Sequence, residues 1–262
     1  MRAQYASLII GVVVLIGLSV ILIWKGVPML LGGMVRLVPV SWEDGLGKMI
    51  IDGVVTSQNA CDDAETNEML TAVVKRLEGA MPRSPYKFDV RVVRSKEINA
   101  MAAPGGHIVV FSGLIEHMDN PEQVAAVLAH EMQHVVQRHA MKGMVRALGI
   151  QAVLSLMFGD PGVLGGVAGN LGILHFMRSD EESADDGALE TLERARIAPL
   201  EMEHAFQNLQ KAEAQRGSLP PSKYISTHPP LDERIARVRE RGASWNGKTE
   251  RLPMVLSSAC RP

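Results

Sequence analysis

The sequence contains little cysteine, few aromatic side chains and almost no net charge. Its two cysteines, Cys61 and Cys260, do not form a C-x-x-C pair, which excludes a zinc ribbon and a thioredoxin-like redox site. The net charge is −2 and no basic block occurs, which excludes a nucleic-acid partner because phosphate binding requires clustered Lys and Arg. Aromatic residues make up 4% of the chain whereas methionine occurs 15 times, so we expect an aliphatic, adaptable core.

An uncharged apolar run near the N-terminus predicts a membrane anchor. The run extends from Ala6 to Trp24 and, as a helix, spans roughly 28 Å, close to the thickness of the hydrocarbon layer. Trp24 and Lys25 close it with an interfacial aromatic ring and a cation. A cleaved signal peptide is the alternative, but the run is long and no A-x-A-like site follows. We therefore predict a transmembrane anchor over residues 1–25, followed by a Gly- and Pro-containing linker over 26–40.

Two later apolar stretches are shorter. They cover residues 144–158 and 163–177, and each contains polar side chains, such as Arg146 in the first and His175 in the second. Both are too short to cross a bilayer comfortably. We expect buried helices joined by a turn, with a hairpin dipping into the membrane as the alternative.

The rest of the chain predicts an α+β domain over residues 41–262, with a small β-sheet packed on a mostly helical body. Helical spacing of apolar residues or capping signals predict helices over 41–58, 65–80, 121–140, 180–194, 200–215 and 231–241. Alternating or β-rich segments predict strands over 88–93, 99–103 and 107–111, the last two separated by the turn Pro104-Gly105-Gly106. Ser41 and Ser179 are the expected N-caps of the first and fourth helices.

The motif HEMQH at residues 130–134 is the strongest chemical signal. Histidines at i and i+4 project from one face of a helix and can share a tetrahedral ion through their imidazole nitrogens. Glu131 can reach a water molecule on that ion and accept its proton. Apolar neighbours bury the motif, and buried imidazoles need polar partners, which disfavours two solvated histidines on a surface helix. The motif therefore predicts a metal site containing His130 and His134, with Glu131 as catalytic base.

A catalytic zinc site needs a third protein ligand. Position 140 is alanine, so a third histidine six residues after His134 is absent, and His139 would lie on another face of a straight helix. We interpret His139 as an ordinary histidine near a helix C-terminus. The acidic segment DEESADD at 180–186 is the better source, and both Glu181 with Asp185 and Glu182 with Asp186 have the spacing for a ligand and its hydrogen-bonding partner.

Residues 99–241 resemble the HtpX-like and CAAX prenyl protease-type family of membrane-associated gluzincins, in particular a single-anchor branch concerned with envelope protein quality control. The resemblance is carried by NAMAAPGGHIVVFSGLI, PEQVAAVLAHEMQHVVQRHA, EESAD and THPPLDERI. It implies a zincin-like fold, one Zn²⁺ per chain with Glu181 as third ligand, and Asp185 as the hydrogen-bonding partner of a ligand. It also implies that His228 lies near the zinc, where it stabilises the oxyanion or gates access. The family usually has Ser-Arg where this chain has Met177-Arg178.

The same resemblance implies an endopeptidase that hydrolyses unfolded or misassembled envelope proteins. Substrate would add as an extended strand beside the segment that contains Asn99, Ala100, Met101 and Ala102. The catalytic domain would lie outside the cytoplasm, on the periplasmic side of the inner membrane. In that oxidising compartment, we expect a disulfide between Cys61 and Cys260. The alternative function is a membrane-tethered chaperone or assembly factor with a latent or structural zinc site.

Overall fold

The computed structural model of the protein describes residues 38–149, 176–228 and 231–252, together with positions 11, 14–17, 19, 33, 35, 153, 155 and 260. These residues form a mostly helical α+β structure, as predicted. The helices are α1 (Val40–Val54), α2 (Ala64–Ala80), α3 (Ser112–Ile115), α4 (Pro121–Val136), α5 (His139–Leu148), α6 (Arg178–Arg194), α7 (Leu200–Gln215), α8 (Lys223–Thr227) and α9 (Leu231–Ala243). The strands are β1 (Asp89–Val93), β2 (Ala100–Ala102) and β3 (His107–Phe111).

The sheet has the order β1-β3-β2, so β3 is central and β2 lies at an edge. β1 runs parallel to β3 with Val90 opposite Ile108, and β2 runs antiparallel to it with Met101 opposite Val109. The turn between β2 and β3 requires Gly105, whose φ is +79° and whose Cβ, if present, would overlap the backbone of α1. The absence of a side chain at position 105 therefore allows α1 to pack directly against the turn between β2 and β3.

Helix α4 forms the centre of the molecule. The Asn120 side chain accepts a hydrogen bond from the Gln123 N–H, and Pro121 occupies the first helical position, so the predicted start is confirmed. All residues from Gln123 to Val135 are buried, because α4 packs against α2, α6, α7 and β2. The HEMQH motif therefore lies in the protein interior.

Three predicted helix boundaries are wrong in detail. Helix α1 begins at Val40 without a side-chain cap and ends at Val54 instead of residue 58. Helix α4 ends at Val136 because the chain turns at the next two residues, whereas the sequence predicted a continuous helix to 140. Helix α6 begins at Arg178, and the Asp180 carboxylate, not a Ser179–Glu182 capping box, accepts the hydrogen bond from the Met177 N–H.

The anchor predicted over residues 1–25 lies largely outside the described residues, as do most of the apolar stretches from 150 to 175. Among the helices that the structure describes, none combines the length and the hydropathy needed to span a bilayer.

Candidate metal centre

Two helices bring together the donor atoms that the sequence predicted. Helix α4 aims His130 and His134 at the same point, with their Nε2 atoms 2.9 Å apart. Helix α6, which packs alongside, places the Glu181 carboxylate against both, with Oε1 3.3 Å from His134 Nε2 and Oε2 3.6 Å from His130 Nε2. Glu181 is 1% exposed. Glu182, the alternative left open by spacing, has a 41% exposed side chain that pairs with arginines on the surface.

His228 supplies a fourth donor from the loop after α8. Its Nδ1 lies 2.9 Å from Glu181 Oε1 and 3.4 Å from His130 Nε2. Within the described part of the chain, His130, His134, Glu181 and His228 are the group whose donor atoms all lie within 4.8 Å of one another. Ligand atoms around a tetrahedral zinc ion with bonds of 2.0–2.1 Å are about 3.3 Å apart. The observed spacings therefore fit one such ion.

Glu131 is completely buried and points its carboxylate towards this cluster. Neither of its oxygens accepts a hydrogen bond from a described residue, and His228 Nε2 lies 3.6 Å from Oε1. A buried carboxylate without a partner is costly, so the site calls for a further group beside Glu131. A metal-bound water molecule would meet that need, which is the second observation in favour of the metal.

Asp185 and Arg234 surround the cluster on the side of α6 and α9. Asp185 Oδ1 lies 2.9 Å from His130 Nδ1, which fixes the tautomer that exposes Nε2 to the cluster. The Arg234 guanidinium bonds both oxygens of Asp185, at 2.7 and 2.8 Å, and lies 2.8 Å from Glu181 Oε2. Burial alone would raise the pKa of Asp185, but Arg234 outweighs it and holds that pKa below the ordinary value.

Sequence reasoning missed Arg234, although a signal was present. Leu231, Ile235 and Val238 have helical apolar spacing, and position 234 lies on the same face. An arginine on a buried face requires a carboxylate partner, and the acidic segment at 180–186 was the available source.

The interpretation of His139 as an ordinary C-terminal histidine is wrong. Helix α4 ends before it, and His139 begins α5 as a buried residue whose Nδ1 lies 3.0 Å from His134 Nδ1. Burial lowers the pKa of His139 to about 4, so the imidazole is neutral at physiological pH.

Three of the four predicted substrate-binding residues, Ala100 to Ala102, form strand β2, which lies against α4, and Asn99 directly precedes the strand. The Phe111 N–H donates to the Asn99 carbonyl, and the Ala103 N–H donates to the His107 carbonyl. In an antiparallel pair with this register, the N–H and C=O groups of Ala100 and Ala102 point away from β3. No described strand pairs with that edge.

Tyr224 borders the cluster and was not predicted. It is completely buried, and its ring stacks on that of His228 with centroids 4.6 Å apart. The sulfur atoms of Cys61 and Cys260 are bonded to each other, with their Cα atoms 5.8 Å apart.

Comparison with known proteins agrees with this geometry. Residues 64–242 match the family described as Peptidase family M48. The chain is 32% identical to the beta-barrel assembly-enhancing protease of Escherichia coli (strain K12), over 68% of this chain and 37% of that protein. It is 33% identical to the metalloprotease LoiP of the same organism, over 68% of this chain and 71% of LoiP. It is also 28% identical to the mitochondrial metalloendopeptidase OMA1 of Schizosaccharomyces pombe, over 67% of this chain and 52% of that protein. The match thus spans little more than a third of the assembly-enhancing protease.

Proposed function

The chain belongs to peptidase family M48, and from this membership and the site geometry we propose that it is a zinc-dependent endopeptidase. The observation that carries the proposal is the convergence of His130, His134 and Glu181 next to the carboxylate of Glu131, which accepts no hydrogen bond from a described residue. Two imidazoles and one carboxylate are the ligand set of a catalytic gluzincin site. A buried base beside them is what hydrolysis requires.

Each residue has a defined part in the proposed reaction. Zinc, when bound, lowers the pKa of a coordinated water molecule and polarises the scissile carbonyl group. Glu131 accepts the proton of the attacking water and passes it to the leaving amine. Asp185 keeps the proton of His130 on Nδ1, so that Nε2 remains a donor to the ion.

His228 controls the remaining coordination position in this proposal. Its Nδ1 lies among the metal donors, where a catalytic site keeps a position for water or substrate. An imidazole bound at that position would have to withdraw before substrate could enter, so His228 would gate access. The gating role predicted from the sequence is favoured over oxyanion stabilisation, because Nδ1 already lies 2.9 Å from Glu181.

The substrates we propose are unfolded or misassembled polypeptides. The N–H and C=O groups of Ala100 and Ala102 that point away from β3 can pair with an extended chain once this buried edge is uncovered. Such pairing suits unfolded chains, because a folded protein rarely offers a free strand. We further propose an anchored protein whose catalytic domain is extracytoplasmic and acts on envelope proteins. The apolar run at 6–24, the bonded cysteines and the name of the assembly-enhancing relative support this location.

The alternative, a tethered chaperone or assembly factor with a latent zinc site, is favoured by one observation. Four protein donors converge, and structural zinc sites are closed in this way. The buried Glu131 carboxylate, which accepts no hydrogen bond from a described residue, favours the peptidase, because a purely structural site does not require a buried base.

The deciding experiment incubates the purified full-length chain with casein, with and without a chelator. We expect cleavage that the chelator abolishes and zinc restores. The Glu131→Gln variant should bind zinc but cleave roughly 10²–10⁴-fold more slowly, the range that proton transfer contributes. Zinc binding without casein cleavage in the wild type, together with full function of Glu131→Gln in cells, would favour the chaperone.

A further inference from the structure

The helical conformation is interrupted immediately after α4, the helix that carries His130 and His134. Helix α4 ends at Val136, Arg138 adopts a left-handed conformation with φ +58° and ψ +34°, and α5 begins at His139. In a continuous helix, positions 134 and 139 lie on different faces. The break instead brings the two rings to a centroid distance of 5.0 Å at 73°, with their Nδ1 atoms 3.0 Å apart.

The Nδ1–Nδ1 contact fixes the tautomers of both histidines. His134 Nε2 faces His130 and Glu181, so it must be free of a proton to bind a metal ion. A neutral imidazole then carries its proton on Nδ1, and His134 donates it to His139 Nδ1. The proton of His139 is therefore on Nε2, which lies 3.3 Å from Ser183 Oγ and 3.8 Å from Asp180 Oδ1.

Asp180, the last residue in this series of contacts, is itself held in place. Asp180 Oδ2 pairs with Arg146 at 2.7 Å and also accepts the Met177 N–H at the start of α6. His139 thus links the ligand on α4 to the helix that carries the ligand Glu181. Ligand histidines commonly give their second N–H to a carboxylate or carbonyl oxygen, as His130 does to Asp185, whereas here a second imidazole takes that place.

Helix α1 holds the break in place. Arg138 donates from Nε to Glu43 Oε1 and from Nη2 to the Val38 carbonyl, both at 2.6 Å. Glu43 is 1% exposed, and its other oxygen accepts a hydrogen bond from the Tyr86 hydroxyl at 2.8 Å. A left-handed arginine is strained, since only glycine adopts that region freely. The buried ion pair compensates for this strain.

We propose that His139 is a positioning residue for the metal ligand His134, and that Glu43 of α1 maintains it through Arg138. This inference rests on the proposed function, because it requires His134 to bind zinc. It adds two consequences: the affinity for zinc depends on a residue that is not a ligand, and it depends on a helix that precedes the family match at residues 64–242.

The test measures zinc affinity of the full-length chain by competition with a chromophoric chelator. His139→Phe keeps the ring but removes the acceptor, and we expect binding about 10–100-fold weaker, the usual effect of losing such a partner. His139→Gln offers an amide oxygen and should recover most of the loss. His204→Phe removes an exposed histidine of α7 and should bind zinc like the wild type. Equal affinity of His139→Phe and wild type would overturn the proposal.

Arg138 variants test the contribution of α1. Arg138→Ala and Arg138→Gly both lose the ion pair and the hydrogen bond to the Val38 carbonyl, but only the alanine variant retains a strained backbone. We therefore expect the alanine variant to bind zinc more weakly than the glycine variant. Glu43→Gln should weaken binding in the wild type more than in Arg138→Gly. An identical effect of Glu43→Gln in both backgrounds would show that α1 does not influence zinc affinity through Arg138.

Two further measurements keep the outcomes distinct. Long-range ¹H–¹⁵N spectra of the zinc-loaded wild type should show His134 protonated on Nδ1, a result that needs no variant to fold. The spectrum of the cobalt-substituted protein should change in His139→Phe and return in His139→Gln. Failure of the wild type to cleave casein would refute the peptidase and leave these readouts intact, whereas a wild type that binds no zinc would refute both proposals.

Discussion

Asp185 Oδ1 lies 2.9 Å from His130 Nδ1, so the helix that supplies one metal donor also orients another. The Asp185→Asn variant keeps the shape of this contact but lowers the basicity of the acceptor and removes a charge facing Arg234. We expect zinc affinity to fall about 10–100-fold, with little change in secondary structure. Competition with a chromophoric chelator measures this. An unchanged affinity would show that Asp185 serves only to pair with Arg234.

Arg234 lies between two buried carboxylates and pairs with both. Its guanidinium contacts Asp185 and Glu181, and its Cζ lies 4.4 Å from the centre of the Phe206 ring. Arg234→Met removes the guanidinium that pairs with both carboxylates, so we expect the metal-free protein to lose about 3–5 kcal/mol of stability. Arg234→Lys keeps the charge and should lose less. Denaturant unfolding in the presence of a chelator tests this, and a methionine variant as stable as the wild type would contradict it.

Local signals predicted the helix that carries the motif and the strands beside it. Asn120, Pro121 and the apolar spacing that follows are short-range features, so the start of α4 could be read directly from the sequence. The period-two pattern of β1 was equally local. Spacing could not separate Glu181 from Glu182, because the choice depends on how α6 is rotated against α4.

Contacts between distant residues could not be predicted. The break at Arg138 has no local signal, since the residue is not glycine and its side chain bonds to Glu43, which is 95 positions away. The break also places His139 beside His134. A helix continued through residue 140 would have put the two histidines on different faces. The apolar spacing of α9 could place Arg234 on a buried face, but identifying its partners required knowledge that α9 packs against α6.

Glu43 makes stability depend on pH. Burial raises the pKa of its carboxyl group above the model-peptide value of 4.5, although Tyr86 and Arg138 favour the charged form. The folded protein therefore binds this proton more tightly than the unfolded chain. The resulting stabilisation is complete below that unfolded pKa and is lost as the pH rises through the raised value. The difference in Tm between wild type and Glu43→Gln should thus be more favourable to the wild type at about pH 4 than at about pH 8. A difference independent of pH would refute this.

The Cys61–Cys260 bond closes a loop with a sequence separation of 199 residues. Removing it frees the unfolded chain, so Cys61→Ser and Cys260→Ser should each lose about 2–4 kcal/mol of stability. The double variant should lose no more than either single variant. Thermal unfolding with a reductant gives the control: the wild type should fall to the level of the variants, while the variants do not respond. A wild type insensitive to reductant would contradict the prediction.

Gly187 lies at the contact between α4 and α6, the helices that carry the candidate metal ligands. It lies on α6 opposite Gln133 of α4, whose side-chain amide would overlap any Cβ at position 187 and also donates to Thr191 Oγ1 at 3.0 Å. Gly187→Ala must displace that amide or separate the helices, and we expect a loss of about 1–3 kcal/mol. The matched control is Gly45→Ala, because Gly45 lies in the exposed interior of α1 with open space around it. That substitution should be neutral or stabilising by up to about 1 kcal/mol. If Gly187→Ala and Gly45→Ala raise the Tm equally, the higher helix propensity of alanine explains both effects, and packing at position 187 does not contribute. A loss confined to Gly187→Ala, accompanied by weaker zinc binding, would show that the spacing of α4 and α6 holds Glu181 against the two histidines.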